Sequence, residues 1–476
     1  MAESNPTGVN STHGSHTGGD PALARYETRP GFEARLAARG ERAAKGWAKS
    51  FVWLAVGAVG FLTRTRRADS PELRAGNPDV KRILVTRVDL LGDVVLSLPA
   101  VRALRRAYPH ARIEMLVLGA TAGILEGQRG IDRVLTFDPY FWRSPAALLN
   151  PATWRQARKL LTALRGARYD LAISISGDIA SILTRLSGAR RRVGYSAEAY
   201  PFMLTDPLPG GRYRVRKHEV RYVLALAEAA GGIVAEDDAL LALAVLPDAA
   251  RQMAEQLRGA RRRTGAGGPL VAIHAGARNG QAKRWPPERI AALAERLVRE
   301  LDALVVLTGA PSERVLAEAV LRRCEAPVAD LVGRTDLPRL VALLAASDVL
   351  VTGDSGPLHV AGAVRTPVVA LHGPTDPALS GPTAPDAIVL RHALWCAPCY
   401  DASATAECRF SNPVCMKGIA PDAVFAAVVR QLRRRGRELP RILTPDPSSC
   451  GARGGQTSSG DAGKGDERHA RQASHP

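Results

Sequence analysis

Residues 83–93 read Ile-Leu-Val-Thr-Arg-Val-Asp-Leu-Leu-Gly-Asp, and residues 353–359 read Gly-Asp-Ser-Gly-Pro-Leu-His. Each marks the same event in the chain: an apolar, β-branched run, a tight loop carrying a carboxylate, and a helical stretch. Ile83 to Val88 reads as a buried strand, and Val349 to Thr352 as another. A strand that ends in such a loop and opens a helix is how open α/β sheets hold a charged ligand at the carboxyl ends of their strands. Two such loops predict an α/β chain with two doubly wound, Rossmann-like domains facing a central cleft.

Working outward, short β-branched runs alternate with Ala/Leu/Arg-rich helical stretches from Arg82 onward. Residues 80–263 form a first βα-repeating domain in this reading, and residues 268–436 a second, joined by the Gly/Pro stretch Thr264-Gly265-Ala266-Gly267-Gly268-Pro269. Residues 1–45 and 445–476 are too polar to offset their ordering entropy and are expected to be disordered tails. Residues 46–75 form an apolar, basic helical segment. Its core, Phe51 to Leu62, would extend about 18 Å as a helix, short of the roughly 30 Å of a bilayer's hydrocarbon. Flanked by Lys45, Lys49, Arg64, Arg66 and Arg67, it suits a helix lying on an anionic lipid surface. A hydrophobic helix packed on the main body is the alternative.

Lys and Arg total 65 against 46 Asp and Glu, a formal charge of +19, which points to an anionic partner: nucleic acid, phospholipid or a phosphorylated sugar. Aromatics are 5% of the chain, and neither zinc-finger spacing nor aromatic residues among basic ones is found, so nucleic acid is set aside. The polar N-terminus has no cleavable secretory leader, and the expected compartment is the reducing cytoplasm. Cys396, Cys399, Cys408 and Cys415 fall within 20 residues of one another. That spacing suits a structural zinc knot, with local disulfides or free thiols as alternatives.

In the first loop, Gly92 lets the backbone approach a ligand, and Asp93 is expected at the N-cap of the following helix. Capping alone would explain an Asp there. A carboxylate that takes a proton from a sugar hydroxyl must also sit at such a strand end, and Asp93 is the candidate base. In the second loop, Asp354 follows a buried strand, Ser355 and Gly356 make the turn, Pro357 suits the first helical position, and His359 falls in the first turn. The amides of this helix start suit a pyrophosphate, and Asp354 suits sugar hydroxyls. Between the loops, Arg278 and Lys283 follow the strand Leu270 to His274 and could stabilise a departing diphosphate without a metal. Glu313 repeats the strand-turn-helix logic as a ribose ligand or a complement to the helix dipole. Arg87, Gly92 and Arg278 are further candidates for contact with donor phosphates or acceptor.

Taken together, Arg87 to Ala100 (Arg-Val-Asp-Leu-Leu-Gly-Asp-Val-Val-Leu-Ser-Leu-Pro-Ala), His274 to Ala277 with Lys283 to Arg289, Gly353 to His359, and Gly373-Pro374-Thr375-Asp376-Pro377 resemble glycosyltransferase family 9, the ADP-heptose:lipopolysaccharide heptosyltransferases. The resemblance runs from about Arg82 to Leu432 in consistent order. It implies a GT-B fold and inverting transfer from a nucleotide-diphosphate sugar with no cofactor or metal. By this resemblance Asp93 matches the general base, Lys283 the residue at the donor phosphates, Glu313 the residue near the nucleoside, and Asp354, Ser355, Gly356 and His359 the donor loop. Asp89 departs from the Ser of many members and Ala275 from a common Pro. Neither change removes a charged group. The expected acceptor is an anionic, lipid-linked glycan of the lipopolysaccharide core or a related envelope glycan, met peripherally at the cytoplasmic face of the membrane. A nucleotide-sugar epimerase of the same fold and a non-catalytic sugar-nucleotide or glycan-binding protein are the alternatives.

Overall fold

Strands of a parallel sheet are buried on both faces and so read as continuous apolar runs. β1 (Arg82–Arg87) is such a run, with Ile83 to Arg87 all buried. It lies between β2 (Arg112–Val117) and β4 (Leu171–Ser174), with Val85 in register with Met115 on one side and Ile173 on the other. β3 (Arg133–Thr136), β5 (Arg191–Tyr195) and β6 (Asp206–Leu208) complete a six-stranded sheet of order β3-β2-β1-β4-β5-β6, parallel throughout. The second half repeats the plan with β7 (Leu270–His274), β8 (Leu304–Thr308), β9 (Ala329–Asp330), β10 (Val349–Gly353), β11 (Val368–Leu371) and β12 (Ile388–Leu390), ordered β12-β11-β10-β7-β8-β9 and again all parallel. In both sheets the chain reverses its direction of strand addition beside the first strand, which is where such sheets open a crevice for ligands.

The computed structural model describes residues 79–138, 149–198, 200–211, 216–277, 280–399, 407–408 and 410–437. The expected tails, the 46–75 segment with its Phe51 to Leu62 run, and Arg278 lie outside the described residues. No helix among the described residues is long and apolar enough to cross a membrane.

The helices, in chain order, are α1 (Leu91–Ala107), α2 (Pro151–Gly166), α3 (Gly177–Leu186), α4 (Glu219–Ala229), α5 (Pro247–Thr264), α6 (Pro287–Leu301), α7 (Arg314–Leu321), α8 (Leu337–Ala346), α9 (Gly356–Ala363), the single turns α10 (Pro377–Ser380) and α11 (Val414–Lys417), and α12 (Pro421–Arg434). α1 runs through Pro99 and buries Val94, Val95, Leu98, Val101 and Leu104, each worth roughly 1.5–3 kcal/mol when fully removed from water. It packs against α4 in its own half and against α9 in the other. One apolar cluster therefore joins the halves, running from Val85, Ile113 and Ile173 through α1 to Leu350, Leu358 and Val360.

α5 buries Ala249, Met253, Leu257 and Ala260 against Leu270, Leu304, Val306 and Leu343. By packing it keeps company with the second sheet, although it precedes the joint. It ends at Gly265, whose φ of 76° is the left-handed conformation that glycine adopts without a Cβ penalty.

Candidate active site

The carboxyl end of β1 is built around a buried cation. The Arg87 side chain has no solvent exposure, and its Nη2 donates to Asp93 Oδ1 at 2.9 Å and to Glu219 Oε1 at 2.9 Å. Asp89 Oδ2 lies 3.6 Å away. Asp89 is itself held by the Leu90 amide, 3.0 Å from Oδ1, and by the Ser176 hydroxyl, 3.3 Å from Oδ2. Arg87, expected to contact phosphates or acceptor, is thus engaged by carboxylates of its own chain. Asp93 also differs from expectation. Leu90 is the extended flanking residue and Asp93 the third residue inside α1, with no side-chain cap at the helix start. The helix begins earlier than the loop acids suggest because Leu90 supplies the carbonyl that Val94 N–H donates to at 3.0 Å. Asp93 is therefore a first-turn residue of the helix and not its N-cap.

Across from it, β10 delivers Asp354 to the start of α9. Asp354 Oδ2 accepts from Lys283 Nζ at 2.9 Å, with both side chains about nine-tenths buried. Burial pushes the Asp354 carboxyl up, but Lys283 beside it, helped by His372 and His359, outweighs burial and holds it below the usual carboxylate range. The Ser355 hydroxyl bonds the Thr352 hydroxyl at 2.8 Å. Pro357 has no N–H, and Leu358 N already donates to Ser355 O at 3.1 Å. The amides of this helix start that could turn to a phosphate are those before Pro357.

The two loops meet. A Cβ added to Gly92 would lie 2.7 Å from His359 Cδ2, and one added to Gly356 would lie 3.0 Å from Leu91 Cβ. A Cβ at Gly92 would require the His359 ring to shift, and one at Gly356 would require the Leu91 side chain to give by a few tenths of an ångström. Gly92→Ala is expected to force α1 and α9 apart, with overpacking of about 1–3 kcal/mol in unfolding experiments. The displaced loops should lose about a hundredfold in turnover. Wild-type turnover in a folded Gly92→Ala protein would show that the contact does not position the site.

His359 sits at this junction, 5% exposed, and among the described residues its Nδ1 has no hydrogen-bond partner. Burial drives its pKa down to about 4, against the pull of Asp354 and Asp93 on either side. The folded protein thus refuses a proton that the unfolded chain takes up near pH 6.5. The resulting stabilisation is fully present above pH 6.5 and is lost as pH falls from 6.5 toward 4, by roughly 3 kcal/mol for this residue. Urea midpoints between pH 4 and 7 should fall with acid, and His359→Gln should flatten that slope. An unchanged slope in the variant would contradict the assignment.

Further ties cross between the halves beside this junction. His218 Nδ1 accepts the Val220 amide at 3.3 Å, so its Nε2 carries the proton and donates to Gly381 O at 3.1 Å. Arg216 pairs with Asp376 at 2.8 Å. Along the second sheet's edge, Glu313 turns back so that Oε2 accepts from Ala310 N at 2.8 Å. Its Oε1 lies 3.9 Å from His274 Nε2 and fills the space where a Cβ of Gly276 would be, since that atom would come within 1.7 Å. His274 Nδ1 meets Thr308 O at 3.1 Å, and burial lowers the pKa of the ring.

Asp93, Gly92, Arg87, Asp354, Ser355, Gly356, His359 and Lys283 are thus gathered at one junction, while Glu313 lies further along the edge of the second sheet. Glu219, His218 and His372 were not singled out from the sequence. Among the described residues, no disulfide joins the thiols of the cysteine segment. Burial, then Cys399, Cys408 and also Cys396, push the Cys415 thiol up to about 11. Among the described residues, no group of three or more His, Cys, Asp or Glu side chains is arranged to hold a metal ion.

The family model of glycosyltransferase family 9 (heptosyltransferase) matches residues 157–409, more than half of the 476 residues. Lipooligosaccharide heptosyltransferase 2 of Haemophilus ducreyi is 27% identical over 325 residues, covering 65% of this chain and 88% of that protein. Lipopolysaccharide heptosyltransferase 2 of Escherichia coli is 29% identical over 326 residues with the same coverage of each. The solved structure of the E. coli ADP-heptose lipopolysaccharide heptosyltransferase II superposes with a TM-score of 0.60 at 24% identity, covering 75% of this chain and all of that one. The fold is the expected GT-B arrangement of two Rossmann-like domains. The chain is a glycosyltransferase enzyme and belongs to glycosyltransferase family 9, the heptosyltransferase family.

Proposed function

We propose that the protein transfers heptose from ADP-heptose to a sugar hydroxyl of the lipopolysaccharide core or a related envelope glycan, with inversion and without a metal. The observation that carries this reading is the apposition of Asp93 with the Lys283–Asp354 pair across the α1–α9 junction, with His359 between them. The half built on β1 to β6 takes the acceptor in this proposal, and the half built on β7 to β12 the donor. Asp93 accepts the proton of the acceptor hydroxyl as that oxygen attacks the anomeric carbon. The bond from that carbon to the diphosphate oxygen breaks on the opposite face, and ADP leaves with the electron pair.

Lys283 supplies the positive charge that offsets the growing charge on the diphosphate, and the amides at the start of α9 add oriented dipoles. Asp354 orients Lys283 and is placed to take sugar hydroxyls. Glu313, near His274 and Gly276, is read as the contact to the donor's nucleoside. The relatives' names supply the sugar and nucleotide: ADP-heptose for the E. coli structure, and lipopolysaccharide or lipooligosaccharide for the curated enzymes. The net charge of +19 suits an anionic, phosphorylated lipid acceptor met peripherally at a membrane face.

Thermal-shift measurement against a panel of nucleotide sugars tests the donor. ADP-heptose at a hundred times its Kd is expected to stabilise the fold by about 2.7 kcal/mol through mass action. Equal shifts from unrelated nucleotide sugars, or none from ADP-heptose, would sink the donor assignment.

A further inference from the structure

We infer that Glu219 is a positioning residue for transfer, which keeps Asp93 basic by competing with it for the Arg87 guanidinium. The inference rests on the reading of Asp93 as the base. Its starting point is a shared nitrogen: Arg87 Nη2 is 2.9 Å from Asp93 Oδ1 and 2.9 Å from Glu219 Oε1. The two carboxylate oxygens therefore lie within twice that distance of each other. Asp89 adds a third carboxylate at 3.6 Å.

A lone guanidinium at hydrogen-bond distance would hold a carboxylate firmly ionised and make it a poor proton acceptor, whereas a second carboxylate on the same cation has the opposite effect. The cluster thus meets two needs together. Arg87 fixes the direction of Asp93, and Glu219 offsets the loss of basicity that this fixation would bring. Complementing the dipole of α4 would explain an acid at its first position. It would not explain why this one is 4% exposed and bonded to a fully buried arginine 132 residues away in sequence.

Among the described residues, the charged and titratable groups around Asp93 include Arg87 from β1, Asp89 from the loop, His218 and Glu219 from the start of α4, and His359 from α9, while Tyr195 of β5 and Tyr222 of α4 face Glu219. His359 stays neutral above pH 5 because burial holds it at about 4, and Asp354 is held below the usual carboxylate range. The carboxylates that share Arg87 lie close enough to one another to act as a linked set, so variants are compared by how far each displaces the acid limb of activity.

The test is the pH dependence of kcat/KM on the full chain, with ADP-heptose and a lipopolysaccharide-core acceptor. Glu219→Gln is expected to move the acid limb down by about one pH unit. It should also lower the neutral plateau about two- to threefold, as a weaker base would, and leave the thermal shift by ADP-heptose unchanged. Glu219→Asp, which keeps the charge, should leave the limb near the wild-type position. Asp89→Asn should move it the same way by less, and it serves as the test if Glu219→Gln does not fold. An unmoved limb in Glu219→Gln, or in Asp89→Asn where that variant stands in, overturns the inference. So does a limb displaced equally by Asp and Gln, which would indicate packing alone. Asp93→Asn separates the two levels: wild-type turnover there removes the base reading itself, whereas an inactive Asp93→Asn beside an unmoved Glu219→Gln limb removes this inference alone.

Discussion

Asp93→Asn is expected to lower turnover by about 10² to 10⁴-fold while the protein stays folded and still binds donor. The substitution keeps the shape of the side chain and its acceptor oxygen for Arg87 but removes the group that can take a proton. Arg87 keeps Glu219 at 2.9 Å, so the buried guanidinium is not stranded, and stability should fall by no more than about 1–2 kcal/mol. Steady-state assays give the rate, and thermal shift with ADP-heptose gives donor binding. Turnover within about threefold of wild type would show that the proton goes elsewhere, because a general base contributes far more than that.

The second large effect is expected for Lys283→Met. The Lys283–Asp354 pair is about nine-tenths buried on both sides, and removing one partner of such a pair costs about 3–5 kcal/mol because the other charge is left in a poor solvent. Without Lys283, burial becomes the dominant influence on Asp354 and its carboxyl rises toward neutrality. Catalysis should suffer separately, by about 10² to 10³-fold, through loss of the charge that offsets the departing diphosphate. Lys283→Met with Asp354→Asn tells these losses apart: stability should recover substantially, since no buried carboxylate is left unpaired, while turnover should not recover. Recovery of both would mean that Lys283 serves only the fold.

Much of this arrangement could be read from the sequence because burial writes itself into composition. β1, β7, β10 and β11 are apolar, β-branched runs buried along their length, and the loops after β1 and β10 carry the Gly and Asp that mark strand-end turns. Of the edge strands, β3 was legible and the other three were not. β6, β9 and β12 have two or three residues each, too few for any periodicity, and they are strands only because a neighbour pairs with them. α3, opening after Ser176, was also missed.

The site divides along the same line. Asp93, Asp354, Lys283 and His359 stand in local motifs, but the cluster on Arg87 depends on Glu219, which local sequence relates only to a helix start. The same limit applies to Asp93, where a one-dimensional reading could not tell a cap from a third helical residue whose carboxylate is claimed by Arg87. It applies again to α5, which local order assigns to the first half and packing joins to the second sheet.

In the proposed reaction, donor and acceptor meet at the α1–α9 junction. A crystal structure of the full chain with ADP-heptose tests this most directly. The diphosphate is expected at Lys283 and the start of α9, with the anomeric carbon turned toward the Asp93 carboxylate. A nucleotide seated elsewhere, with its sugar out of reach of Asp93, would contradict the proposed reaction.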